Sequence, residues 1–125
     1  MSNLRARTRH LLLGPDDGWA ATLATGPLAI TCLAIFALLM HALDLASGIR
    51  MMLVYGISLE QNPLARAIMT DGGPLGLAVA KLGVVGIGVL LFVRTAHIGR
   101  PRLARNCLLL AAGIGLLGFT SNLVG

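Results

Sequence analysis

The chain has 125 residues, of which 56% are hydrophobic and 12% charged, and its mean hydropathy is +0.83. Soluble globular domains carry about 25% charged residues, so this composition excludes a soluble domain and indicates an integral membrane protein. The net charge of +5 does not indicate nucleic-acid binding, because most basic residues flank apolar runs and aromatic side chains are too few to stack on bases. These flanking residues are Arg5, Arg7, Arg9, Arg94, Arg100, Arg102 and Arg105.

Residues 1–27 are basic and carry one short apolar stretch, Leu11–Leu13. We expect them to form an amphipathic segment at the cytoplasmic surface of the membrane. The remainder, 28–125, is predicted to be one three-helix membrane domain. Its first apolar run predicts a transmembrane helix over about 28–49, with an extension to 57 as an alternative. Because so long a helix exceeds the bilayer, it must tilt, protrude or kink, and Ser47–Gly48 is a candidate kink.

A polar connector follows the first helix. The proline at position 63 predicts a helix break at 62–63, because a residue before proline avoids helical backbone angles. A short interfacial helix is predicted over 64–69, and the sequence DGGP at 71–74 predicts a turn. Two further apolar runs predict transmembrane helices over about 74–93 and 106–124. The expected fold class is therefore an all-α integral membrane protein with three transmembrane helices.

Basic residues concentrate in the cytoplasmic loops of bacterial inner-membrane proteins. The N-terminal segment and the 94–105 loop are the basic regions of this chain. We therefore predict a cytoplasmic N-terminus and a cytoplasmic 94–105 loop. The 50–74 connector and the C-terminus then face outward.

Two ionisable residues of opposite sign lie inside the apolar runs, Asp44 in the first and Lys81 in the second. A lone charge at bilayer depth costs at least about 2.5–3.5 kcal/mol, so each residue needs a partner or a function. At about 1.5 Å of helix rise per residue, both lie in the outward half of the membrane. We expect an Asp44–Lys81 ion pair that locks the helix register, within a polar cluster of His41, Asp44, Glu60, Asn62, Lys81 and Asn122.

The order of these residues resembles a family of small bacterial membrane proteins that is catalogued only as a domain of unknown function. The shared pattern is an Asp late in the first span, then Glu-x-Asn-Pro-Leu, then a Lys early in the next span. The resemblance covers about 30–125 and implies a multi-span fold in which the connector folds back toward the ion pair. It implies no reaction. The matching residues are Asp44, Glu60, Asn62, Pro63, Leu64 and Lys81.

Catalytic and metal-binding motifs are missing from the sequence. There is no HExxH and no Gly-x-Ser-Gly elbow, so no catalytic residue and no enzyme activity are predicted. Cys32 and Cys107 are far apart in the chain and belong to no Cys/His cluster, so no metal site is predicted.

Three functions fit this sequence. The first is an accessory or scaffold subunit of a larger membrane protein complex, packed against other integral membrane subunits and bound lipid. The second is an oligomeric proton- or ion-coupled carrier or channel. The third is a pigment- or haem-binding subunit, because Ala37-x-x-x-His41 resembles the chlorophyll-ligating stretch of bacterial antenna helices. The alternative role for His41 is a core histidine whose N–H is accepted by Asp44.

Overall fold

The computed structural model describes residues 24–124, and within this range it contains helices and short connections but no strand. Three helices in the described part of the chain are long and apolar enough to span a membrane: α1 (Pro27–Tyr55), α2 (Pro63–His97) and α3 (Pro101–Val124). The predicted all-α membrane fold with three transmembrane helices is thereby confirmed. The predicted basic segment, with Arg5, Arg7 and Arg9, falls outside the described residues except for positions 24–27.

Helix α1 is a single helix of 29 residues with no break at Ser47–Gly48. Pro27 occupies its first turn, where the missing N–H has no helical partner to lose. The helix ends before Gly56, whose φ of 101° suits only glycine. At about 44 Å, α1 is longer than a hydrocarbon core of about 30 Å. The alternative of a long first helix is therefore the observed one, and it stops at residue 55.

Helix α2 is bent sharply at Gly73, where φ is 61° and ψ is −165°. This backbone conformation is accessible almost only to glycine, and it divides α2 into a first arm, 63–72, and a second arm, 74–97. A Cβ on Gly76 would lie 3.8 Å from the Ile68 side chain. Residues eight apart in a straight helix are about 12 Å apart, so the first arm folds back along the second.

The predicted boundaries around α2 need two corrections. The predicted interfacial helix over 64–69 is longer and forms the whole first arm. The predicted turn at 71–74 is reduced to the one non-helical residue, Gly73.

The predicted basic loop, 94–105, is mostly helical. Helix α2 continues to His97 and α3 begins at Pro101, so only 98–100 connect them. Arg94 lies in the last turn of α2, and Arg102 and Arg105 lie in the first turns of α3. Long arginine side chains reach the interface from within a helix, and proline is favoured in a first helical turn. The basic residues therefore do not end the helices.

Helices α1 and α3 pack closely through small residues. A Cβ on Gly115 would lie 2.9 Å from backbone atoms of Met40 and His41, so the two backbones touch at this point. Glycine at such a crossing permits close helix approach in lipid. The buried residues of each helix recur every three or four positions and therefore lie on one face. They are Ile30, Ala34, Ala37, His41, Leu45, Gly48 and Met52 in α1, and Ala104, Leu108, Ala112 and Gly115 in α3.

The connector end of the bundle is the end at which residues 56–62 join α1 to α2. Helix α1 runs toward it, the second arm of α2 runs away from it, and α3 returns to it. A small apolar cluster of Leu45, Met52, Met69 and Leu77 holds the first arm of α2 against α1 there. This packing holds the connector against α1 and α2 at that end.

Candidate functional site: a polar network joining the three helices

The Asp44 carboxylate accepts hydrogen bonds from side chains on both neighbouring helices. Lys81 Nζ on α2 lies 2.5 Å from Asp44 Oδ2, and Asn122 Nδ2 on α3 donates to Asp44 Oδ1 at 3.0 Å. The side chains of Asp44 and Lys81 are 13% and 32% exposed. Each carboxylate oxygen therefore has a donor, and the pair that the sequence predicts is present between α1 and α2.

The Asn122 amide also binds two other acceptors on α1. Its Nδ2 lies 3.0 Å from Ser47 Oγ and 3.2 Å from the backbone carbonyl of Asp44. Ser47 Oγ in turn donates to that carbonyl at 2.9 Å. A single side chain thus ties the end of α3 to one turn of α1. We call Asp44, Ser47, Lys81 and Asn122 the three-helix network.

Two glycines make room for this network. A Cβ on Gly118 would lie 2.5 Å from the carboxyl group of Asp44, closer than real Cβ contacts come. A Cβ on Gly48 would lie 3.3 Å from the Asn122 amide nitrogen. The carboxylate therefore lies directly against the backbone of α3, and only glycine at position 118 leaves space for it.

Glu60 and Asn62 organise the start of α2. Glu60 Oε1 accepts a hydrogen bond from the Asn62 backbone N–H at 2.8 Å. Asn62 Oδ1 accepts from the N–H groups of Leu64 and Ala65, at 3.0 and 3.4 Å, as the N-cap of α2. The Arg66 guanidinium donates to the Glu60 carbonyl. These bonds satisfy the irregular backbone of the connector rather than Asp44 or Lys81 directly.

A cavity of about 470 Å³ lies between the three-helix network and the connector. We call it the side cavity. Five polar residues face it, and they come from all three helices and the connector. The polar lining is Asp44, Glu60, Asn62, Lys81 and Asn122, and the apolar lining includes Leu45, Met52, Leu64, Ile68, Leu77, Val84 and Val85. The cavity therefore brings together every residue of the predicted polar cluster except His41.

His41 departs from the sequence-based expectation. It is 9% exposed, and its Nδ1 has no hydrogen-bond partner in the described part of the chain. The Asp44 carboxylate turns toward α2 and α3, so it does not accept the histidine N–H. His41 belongs to the α1–α3 packing face, one turn away from the network.

The same packing bears on the pigment or haem hypothesis. Ala37, which would leave space for a macrocycle, is 0% exposed and belongs to the apolar core between the helices. Protein atoms occupy the face that a macrocycle needs. The face of α1 that carries Ala37 and His41 is therefore packed against protein in this chain.

Sequence reasoning did not assign Ser47 and Gly118 to the site. Ser47 follows Asp44 by three positions, and Gly115, Gly118 and Asn122 are spaced by three and four, so each set shares one helix face. The spacing was a usable signal for a shared face. It could not show which glycine lies opposite a carboxylate.

The remaining polar features are simpler. No group of three His, Cys, Asp or Glu side chains within residues 24–124 is arranged to hold a metal ion. Cys32 and Cys107 are free thiols. The predicted membrane-surface residues Arg94, Arg100, Arg102 and Arg105 all lie around the 98–100 connection, at the end of the bundle opposite the network.

Comparison of the chain with known protein families, curated proteins and solved structures found no match. The resemblance to the family of unknown function therefore rests on its six matching residues alone.

Proposed function

We propose that this protein is a small accessory or scaffold subunit of a larger bacterial membrane complex. One observation carries the proposal: both oxygens of the intramembrane carboxylate, Asp44, are occupied by donors from the protein itself. A polar group used in this way contributes to holding helices together, because an unpaired charge in the membrane is expensive. The network thus joins the three helices into one structural unit.

The side of α2 that faces away from α1 and α3 is the surface we assign to a partner subunit. Only 11% of the residues in the most apolar stretch of α2 are buried, against 28% in that of α1. Gly83 and Gly86 lie about one turn apart on α2, with open space where a Cβ would be. Small residues on an uncovered apolar helix permit a second helix to approach closely.

The accessory role is tested by purifying the tagged chain in mild detergent and identifying co-migrating membrane proteins. We expect specific partners that are lost in Gly83→Leu, because a leucine there would hold the partner helix away. The matched control is Gly113→Leu, another open glycine on a different helix, which should retain them. Recovery of both variants and the parent only as a homo-oligomer would contradict the proposal.

We also propose the bacterial inner membrane with a cytoplasmic N-terminus. The support is the basic group around the 98–100 connection, because basic residues concentrate on the cytoplasmic side of such membranes. The C-terminus then faces outward. A C-terminal alkaline phosphatase fusion should be active and a C-terminal green fluorescent protein fusion dark. The reverse pattern would invert the topology.

The second candidate function is the oligomeric proton- or ion-coupled carrier. The side cavity favours it, since a one-third exposed Lys81 borders this space. The apolar core toward the other end of the bundle argues against a path through one chain, because its buried residues are aliphatic. Flux in liposomes that depends on Lys81, from a homo-oligomer, would favour the carrier over the subunit.

A further inference from the structure

The side cavity contains polar groups whose bonding capacity is only partly used. The Lys81 ammonium has three N–H donors, and one is directed at Asp44. The Asn62 amide nitrogen, Glu60 Oε2 and Asn122 Oδ1 have no hydrogen-bond partner within residues 24–124. The cavity therefore offers donors and acceptors to the same occupant.

The side cavity continues onto the apolar surface of the bundle. Leu64 and Val84 line it, and they are also 66% and 74% exposed. Its volume of about 470 Å³ falls in the range of small-molecule sites, about 300–1,000 Å³. A molecule with a polar headgroup in the cavity and apolar chains along α2 would match both surfaces.

The charges of the cavity select the headgroup. Asp44 and Lys81 neutralise each other. The Arg66 guanidinium is bonded to the backbone carbonyl of Glu60, and the Glu60 carboxylate has no cationic side chain within 4.0 Å among the described residues. An anionic headgroup alone would leave Glu60 facing negative charge. A quaternary ammonium could offset that charge but could not donate a hydrogen bond to it. A primary ammonium can do both.

We propose that the side cavity binds the headgroup of a zwitterionic phospholipid that carries a primary ammonium, such as phosphatidylethanolamine. The phosphate accepts hydrogen bonds from Lys81 and from the Asn62 amide. The ammonium donates to Glu60 and to Asn122 Oδ1. This site is built within one chain, so it does not depend on a partner subunit.

The site is tested by native mass spectrometry of the delipidated full-length protein, titrated with phosphatidylethanolamine, phosphatidylcholine and phosphatidylglycerol of the same acyl chains. We expect the first lipid to bind about tenfold or more tightly than the other two, the effect of one charge-assisted hydrogen bond. Equal binding of all three lipids would overturn the proposal.

Glu60→Gln is the diagnostic variant, because glutamine can still accept the Asn62 N–H while losing the negative charge. It should abolish the preference for phosphatidylethanolamine and leave the melting temperature close to that of the parent. Asp71→Asn is the matched control, since Asp71 is exposed, acidic and outside the cavity lining, and it should keep the preference. An unchanged preference in Glu60→Gln overturns the assignment, as does equally tight binding of water-soluble glycerophosphoethanolamine.

Discussion

Alanine at position 115 should destabilise the bundle by about 1–3 kcal/mol, the range measured for added methyl groups in well-packed cores. The new Cβ would lie 2.9 Å from backbone atoms of Met40 and His41, and a backbone cannot rotate away as a side chain can. Helices α1 and α3 must therefore separate along the face that holds most of the buried residues. The free energy of unfolding in mixed dodecyl maltoside and dodecyl sulfate micelles would measure the loss.

Gly113→Ala is the control for this experiment. It lies on the same helix two residues away, and no atom would approach its Cβ within 4 Å. Both substitutions change helix propensity equally, so the difference between them isolates the contact with α1. Equal stabilities of Gly113→Ala and Gly115→Ala would show that α1 and α3 do not cross where the structure has them.

Lys81→Met should produce the second large loss, because it leaves the Asp44 carboxylate in an apolar segment with Asn122 as its main partner. Breaking a fully buried ion pair costs about 3–5 kcal/mol. Lys81 is one-third exposed, and exposure weakens such pairs, so we expect about 2–3 kcal/mol in the same unfolding assay.

The double variant Asp44→Leu with Lys81→Met separates an ion pair from two independent effects. Removing both charges should restore part of the stability, with a coupling energy of at least about 1 kcal/mol. This neutral pair is a cleaner test than a charge reversal, because a lysine at position 44 would meet the Asn122 amide donor and the tight space at Gly118. Additive losses in the double variant would mean that the two charges do not act on each other.

The fold could be predicted because each helix contains a run of apolar residues long enough to cross a bilayer. The glycine and proline positions also predicted the breaks near residues 62 and 73. The predicted start of α3, about residue 106, is too late, because the basic residues Arg102 and Arg105 are typical of a loop between spans, whereas α3 begins at Pro101. Charged residues near a helix end carry little information about the boundary when their side chains can reach the interface.

The sequence predicts the depth of the site residues in the membrane, but not which of them form hydrogen bonds with each other. Asp44, Lys81 and Asn122 could be placed in one layer from helix rise alone. Which side chains bond within that layer depends on helix rotation and separation. His41 shares a face with Asp44 by spacing, yet the crossing at Gly115 buries it against α3. Only the packed structure distinguishes these two outcomes.

The network also has a consequence for the synthesis and membrane insertion of the protein. Asp44 precedes Lys81 by 37 residues and Asn122 by 78 residues along the chain. At about 5–20 residues synthesised per second, Lys81 is added about 2–7 s after Asp44, and Asn122 about 4–16 s after Asp44. During that interval α1 must stay in the membrane with an unmatched acid, held by its apolar residues, whose mean hydropathy reaches 2.2. Insertion of α2 and α3 then brings Lys81 and Asn122 to the Asp44 carboxylate and completes the three-helix network.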